Sequence, residues 1–188
     1  LLAMPCASAR AGDVEDCNGQ AIDKVEAACS SIINDASRSA DDRTKAYAGR
    51  ARLYNNRGKL DLAAADADAA LQLNPQFVPA LLSRSYALQR QGKTDQARAD
   101  LDRAVELEPK NAATYLSRGN FRSDQRAWAD ALADYEQAIT LRQDFAAAYV
   151  GRARAHVETA QFDAAVSDIN SALTINPNTP GAFYWRGQ

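Results

Sequence analysis

The chain has 188 residues, of which 46% are apolar and 24% charged, with a formal net charge of -2. That apolar content over that length suffices for one or two domains with a sizeable core, which excludes a disordered chain. Acids and bases are interspersed and nearly balanced, which gives no basic face for a phosphate backbone, so no nucleic-acid partner is expected. Alanine is abundant while glycine and proline are scarce, which favours closely packed helices over strands and sets the fold class as all-α. No run of about 20 apolar residues occurs, so no membrane span is expected.

In chain order, the first stretch is "LLAMPCASARAGDVEDC", residues 1–17. It reads as the end of a secretory signal, an apolar stub followed by small residues in A-x-A form at Ala7-Ser8-Ala9 or Ala9-Arg10-Ala11. Residues 1–11 are therefore expected to be the remnant of a signal peptide from a longer precursor, with an ordinary frayed terminus as the alternative. Lipidation at Cys6 is disfavoured because Pro5 precedes it. Residues 12–43 are expected to form a capping segment with a helix running roughly from Ala21 to Asn34. Removal of the signal leaves Cys17 and Cys29 as an even pair, and export places them where disulfides persist. A Cys17–Cys29 bridge, contributing about 3 kcal/mol by loop closure, is expected. Two buried thiols are the alternative.

From residue 44 onward the sequence repeats itself, with a period of about 34 residues. Aligned at that period, Gly58 stacks on Gly92, Ala63 on Ala97, Ala131 and Ala165, and Ala70 on Ala104, Ala138 and Ala172. Leu71, Val105, Ile139 and Leu173 form a further column, as do Leu73, Leu107, Leu141 and Ile175. Pro75, Pro109 and Pro177 close their units, and Gln143 replaces the proline in the third. Within a unit, apolar residues recur at helical spacing on either side of a turn such as Asn56-Arg57-Gly58, and Asn74-Pro75 stops the second helix. Each unit is a helical hairpin.

With Tyr47, Leu81, Tyr115 and Tyr149 early in the first helices, small residues at Ala51, Ser85, Gly119 and Ala153, two alanine columns and a closing proline, the unit resembles the tetratricopeptide repeat. The resemblance covers about three quarters of the chain. It implies a right-handed superhelical solenoid of antiparallel helix pairs over residues 44–188, with repeats at 44–77, 78–111, 112–145 and 146–179 and the first helix of a fifth at 180–188. Leu60, Trp128 and Phe162, at the start of second helices, read as core.

An arginine stands in every unit where the family more often has leucine: Arg50, Arg84, Arg118 and Arg152, with Arg186 one period further. Asp66, Asp100, Asp134 and Asp168 follow the first four at a constant interval, on the facing helix. Charge answers charge in each unit, which favours an intramolecular ladder with bidentate guanidinium geometry. An anion-binding stripe of arginines is the competing reading.

No active-site pattern is present. The single histidine, His156, has no evident nucleophile partner and reads as a packing or surface residue; no phosphate-cradling loop, CxxC or HExxH occurs. The expectation is a protein that is not an enzyme, with no cofactor and no metal. The resemblance implies that first helices line a concave groove that takes peptides. By position that wall would display Lys45, Ala48, Arg52 and Asn56, then Leu82, Ser83, Tyr86 and Arg90, then Leu116, Asn120 and Asp124, then Val150, Arg154 and Glu158. Family members that clamp an acidic carboxyl tail use a Lys and an Asn four apart, where this chain has Ala48 and Arg52. The expected function is a scaffold binding a peptide or helix of a partner protein, periplasmic or secreted, as in exported bacterial relatives; the alternative is an accessory arm of a larger enzyme or assembly. Self-association through the incomplete fifth repeat is a further expectation.

Overall fold

A computed structural model describes Cys17 and residues 22–181. Among the described residues there are nine helices and no strand: α1 Ile22–Asn34, α2 Ala40–Asn56, α3 Leu60–Leu73, α4 Val78–Arg90, α5 Thr94–Leu107, α6 Ala112–Asp124, α7 Trp128–Leu141, α8 Ala146–Glu158 and α9 Phe162–Ile175. The signal remnant, Arg186 and the fifth repeat from residue 182 onward lie outside the described residues.

Local chemistry sets the hairpins. Ser39 accepts a bond from the Asp42 N–H at 3.0 Å, and Asn111 accepts one from Ala113 at 2.9 Å, so two first helices begin on side-chain caps. Every first helix ends in the same reverse turn, in which the N–H just beyond the turn reaches back to a carbonyl in the last turn of the helix: Lys59 to Tyr54, Lys93 to Leu88 and Ala127 to Arg122 at 2.9 Å, and Gln161 to His156 at 2.8 Å. That turn needs a left-handed residue. Gly58 and Gly92 supply it with φ of 69° and 78°, but Arg126 and Ala160 occupy the same register with φ of 59°. For a residue with a Cβ this conformation costs about 1–2 kcal/mol.

The chain divides into two compact units, one ending at Asp100 and the other starting at Leu101, a boundary inside α5. In the first unit α1 packs on α2, α2 on α3, α3 on α4, and α2 directly on α4. In the second, α6 packs on α7, α7 on α8, α8 on α9, and α6 on α8. Within each unit, a first helix thus touches its own second helix and the first helix of the next hairpin. The alanine columns permit this. Ala63, Ala97, Ala131, Ala70, Ala104, Ala138 and Ala172 are fully buried and Ala165 nearly so, and a methyl at each contact lets helix axes approach to about 8 Å.

The N-terminal end of the first unit is closed by sulfur. Cys17 and Cys29 are both buried and lie side by side, with Cα atoms 4.8 Å apart, a separation that a disulfide can span. They share a cluster with Val25, Ala28, Ile32, Ala46 and Leu53. Gly49 on α2 faces this pair: a Cβ there would stand 3.5 Å from Cys17 Sγ and 3.6 Å from Cys29 Sγ, ordinary van der Waals contact.

In the second unit the largest fully buried side chain among the described residues is Tyr135, 1% exposed. Its ring fills the space that side chains at Gly119 and Gly151 would take; a Cβ at residue 151 would lie 2.5 Å from Tyr135 Cε1, and one at 119 would lie 2.9 Å from the same atom. The phenol donates to Asn120 Oδ1 at 2.9 Å. Burial, the largest cause, pushes its pKa up to about 12. Leu60 and Trp128 are half-buried, but Phe162 is 57% exposed, which corrects its assignment to the core. Trp128 packs in a cluster with Ala155 of the following hairpin. Among the described residues no further helix follows α9 to do the same for Phe162.

The turns and Tyr135 each lead to a test by substitution. Arg126→Gly and Ala160→Gly should each stabilise the protein by about 1 kcal/mol in urea unfolding, and Gly58→Ala should destabilise it by a similar amount. Gly151→Ala should destabilise by about 1–3 kcal/mol through overpacking, yet become neutral or stabilising in a Tyr135→Ile background, where the helix preference of alanine is free to act.

A third concerns pH. The folded state holds the Tyr135 proton more tightly than the unfolded chain, so its contribution is intact below about pH 10 and is lost as pH rises toward 12. Tyrosinate absorbance should show a phenol titrating near the top of that range that Tyr135→Phe removes, distinct from Tyr54, which burial also raises.

Candidate functional site

The arginine column is held inside the hairpins. In the first unit Arg50 on α2 grips Asp66 on α3 with Nε at 2.7 Å and Nη2 at 2.8 Å, and its Nη1 donates to Ser30 Oγ at 2.8 Å. Arg84 on α4 grips Asp100 on α5 in the same two-pronged way, at 2.8 and 2.6 Å. Its remaining Nη1 reaches back 2.7 Å to Asp68 on α3. In the second unit Arg118 holds Asp134 with Nη2 at 2.8 Å and Nε at 3.1 Å, while its Nη1 reaches Asp102 at 3.0 Å. Asp134 takes a second cation, Arg122, at 2.8 Å. Arg152 holds Asp168 at 2.9 and 2.6 Å.

These clamps are largely dry. Asp66, Asp100, Asp134 and Asp168 are 7, 6, 3 and 4% exposed. Rings nearly one turn earlier on the same helix lie beside the cations, Tyr47 at 5.9 Å from Arg50, Tyr115 at 5.7 Å from Arg118 and Tyr149 at 5.6 Å from Arg152. Hydrogen bonding to Asp66, Asp100 and Asp168 is the main reason that Arg50, Arg84 and Arg152 hold their protons even more tightly than usual, against the opposing effect of burial. For Arg118 burial is the largest single influence and works downward, but Asp134 and Asp102 together leave its pKa raised. With their donor edges committed to carboxylates, these arginines are not an anion-binding stripe.

Reading at the repeat period found the aspartate that follows each arginine and missed the one that precedes Arg84 and Arg118 by an equal interval. Asp68 and Asp102 tie one hairpin to the next, so a single guanidinium bridges both. The signal was present as an acid column at 68, 102 and 136, broken by Asn170. Other ties between neighbouring hairpins carry no periodic mark: Asn55 Nδ2 donates to the Ser83 carbonyl at 2.8 Å, Gln91 to Asp61 at 2.9 Å, and Arg154 to Asp124 at 2.9 Å. At the N-terminal end the Tyr54 hydroxyl donates to Glu26 at 3.0 Å and is the main reason that carboxyl is held below its usual range. His156 Nε2 sits 3.8 Å from Asp168, at the edge of the fourth clamp.

The first-helix face differs between the units. In the first, Lys45 is exposed but answered by Asp41 at 2.6 Å, and Ala48 is 5% exposed, which corrects its placement on the groove wall. Its methyl faces neighbouring helices because a small residue is what admits them. Arg52, Asn56, Tyr86 and Arg90 are exposed, with Leu82 half-buried beside them. In the second unit Leu116 and Val150 are edges of core clusters, Asn120 is taken by Tyr135, and Arg154 is paired with Asp124. Among the described residues no group of three or more His, Cys, Asp or Glu side chains is arranged to hold a metal ion, and no helix is long and apolar enough to cross a membrane.

The clamp makes a definite prediction. Arg152→Ala should cost about 3 kcal/mol in urea unfolding, because it strands the buried Asp168 carboxylate, and Asp168→Ala, which leaves a half-buried guanidinium, should cost less. The double variant should fall short of the sum by at least about 1 kcal/mol; additive effects would mean that the pair is not coupled.

Comparison with known proteins gives a consistent picture. Models of the tetratricopeptide repeat match residues 44–77, 82–142 and 122–183. Among solved structures, TTC0263, a thermophilic tetratricopeptide protein of Thermus thermophilus, is 19% identical over 88% of this chain and 89% of its own, with a TM-score of 0.76. PilF of Pseudomonas aeruginosa is 19% identical over 78% of this chain and 67% of its own, with a TM-score of 0.73. YrrB, described as having an unusual peptide-binding site, is 17% identical over 89% of this chain and 84% of its own, with a TM-score of 0.63. At these identities the structural likeness speaks for the fold alone, an all-helical solenoid. No curated protein sequence matches the chain significantly. With repeat models matched over most of its length and helical hairpins at the matched positions, the chain belongs to the tetratricopeptide repeat family.

Proposed function

We propose that this chain is a non-catalytic interaction module that binds an extended peptide or a helix of a partner protein on the first-helix face of its hairpins. The observation that carries this reading is a division of labour among cations. The periodic arginines are consumed by internal carboxylates, whereas Arg52 and Arg90 are exposed and make no ion pair among the described residues. Between them Tyr86 leaves 46% of its surface in solvent, an amphipathic ring of the kind that supplies contact area at little entropic cost. Peptide binding by the structurally similar YrrB supports the same use of the fold. A periplasmic or secreted location belongs to the same proposal, supported by the signal-like residues 1–11 and by the pairing of Cys17 with Cys29.

Peptides selected on the protein from a random display library should bind the wild type and lose at least about tenfold in affinity on a folded Leu82→Ala/Tyr86→Ala variant. Retention of full affinity would move the binding surface off this face. For the location, alkylation of periplasmic protein under denaturing, non-reducing conditions should leave Cys17 and Cys29 unmodified; labelling of both would overturn it.

A further inference from the structure

The corners of the first-helix face can be compared at equivalent registers. Arg52 and Asn56 lie one turn apart on α2, and Tyr86 and Arg90 lie one turn apart on α4, which packs against α2. In the second unit the same registers carry Asn120 and Asp124 on α6 and Arg154 and Glu158 on α8. There the diagonal is closed by the Asp124–Arg154 pair at 2.9 Å, and Asn120 is occupied by the Tyr135 hydroxyl at 2.9 Å. In the first unit the same diagonal holds Asn56 and Tyr86, which form no ion pair, and the outer corners are two arginines. At these four registers the first unit therefore carries two positive charges and no negative one, and the second carries one positive and two negative charges, already partly paired.

Resting on the reading above, we propose that the α2–α4 face selects an extended acidic peptide, with one carboxylate on Arg52, another on Arg90, and an apolar side chain between them on Tyr86 and Leu82. Four residues rise about 6 Å along a helix and neighbouring axes lie about 8–10 Å apart, so the two arginines stand on the order of 12 Å from each other. An extended chain advances about 3.3 Å per residue, so side chains at positions one and five are about 13 Å apart. Positions one, three and five point to the same side of such a chain. The pattern that fits is acid-x-apolar-x-acid. This differs from a clamp on a free carboxyl terminus, since both contacts are made by side chains within the peptide and the charge sits on the outer corners. Forked guanidinium contacts to carboxylate supply the specificity, and exposure of both arginines makes the attraction sensitive to salt.

The test is fluorescence anisotropy with fluorescein-labelled Ser-Gly-Glu-Ser-Leu-Ser-Glu-Ser-Gly, its Glu-to-Gln counterpart, and a version with the two glutamates adjacent. The first peptide should bind tightest and weaken as salt rises from about 50 to 300 mM. Arg52→Ala and Arg90→Ala, confirmed folded by circular dichroism, should each lower its affinity about tenfold, while Arg103→Ala, a surface change, should not. Equal binding of the Gln peptide, lost on Leu82→Ala/Tyr86→Ala, would overturn the charge selection and leave the peptide-binding reading intact. Undiminished binding by both arginine variants would overturn the assigned site. No binding of any of the three peptides by the wild type would overturn the acidic pattern, and the display selection would decide the broader reading independently.

Discussion

The arrangement depends on a half-buried guanidinium gripping a buried carboxylate across each hairpin. At about 4 Å and an effective dielectric of about 20, such a pair gains roughly 4 kcal/mol of attraction, which desolvation of both groups largely cancels. Its value is directional. Two parallel N–H bonds fix the rotation and axial position of the first helix against the second, where a leucine in the same place would tolerate sliding. Once Arg84 also reaches back to Asp68, the same group that sets the register within its hairpin sets it against the preceding one.

Packing and turn geometry then follow from that register. The alanine columns allow the close approach that brings arginine and aspartate within bonding distance, and the left-handed turn aims the second helix back along the first. The Tyr135 ring shows how local exceptions are absorbed: a large side chain is accepted in the second unit because Gly119 and Gly151 have vacated its volume. Cations inside the clamps are committed to internal carboxylates, so the proposed recognition rests on residues of the first-helix face that the repeat does not use.

Much of this was legible in the sequence because periodicity makes chemistry visible. Helix pairs, alanine contacts and the partner of each arginine all recur once per repeat, so each is seen several times. What was not legible breaks the period. Asp68 and Asp102 belong to a column that ends in Glu136 and Asn170, and the Asp124–Arg154 tie exists in one place only. Arg126 and Ala160 have no intrinsic preference for left-handed backbone, and only their alignment with Gly58 and Gly92 hints at it. The exposure of Phe162 and the burial of Ala48 depend on which helix lies alongside, a fact about neighbours that residue type does not encode. On the proposed binding face, residue identity supplied the candidates, but only the side-chain pairings separated Arg52 and Arg90 from Arg154.

The most direct test of the clamps is the water exchange of arginine Nε–H protons by proton–nitrogen NMR, assigned by single substitutions. The Nε–H groups of Arg50, Arg84, Arg118 and Arg152 should exchange at least about tenfold more slowly than those of Arg52 and Arg90, because each is bonded to a buried aspartate. If all six exchange at the same rate, the clamps are open in solution and the separation of structural from recognition arginines is wrong.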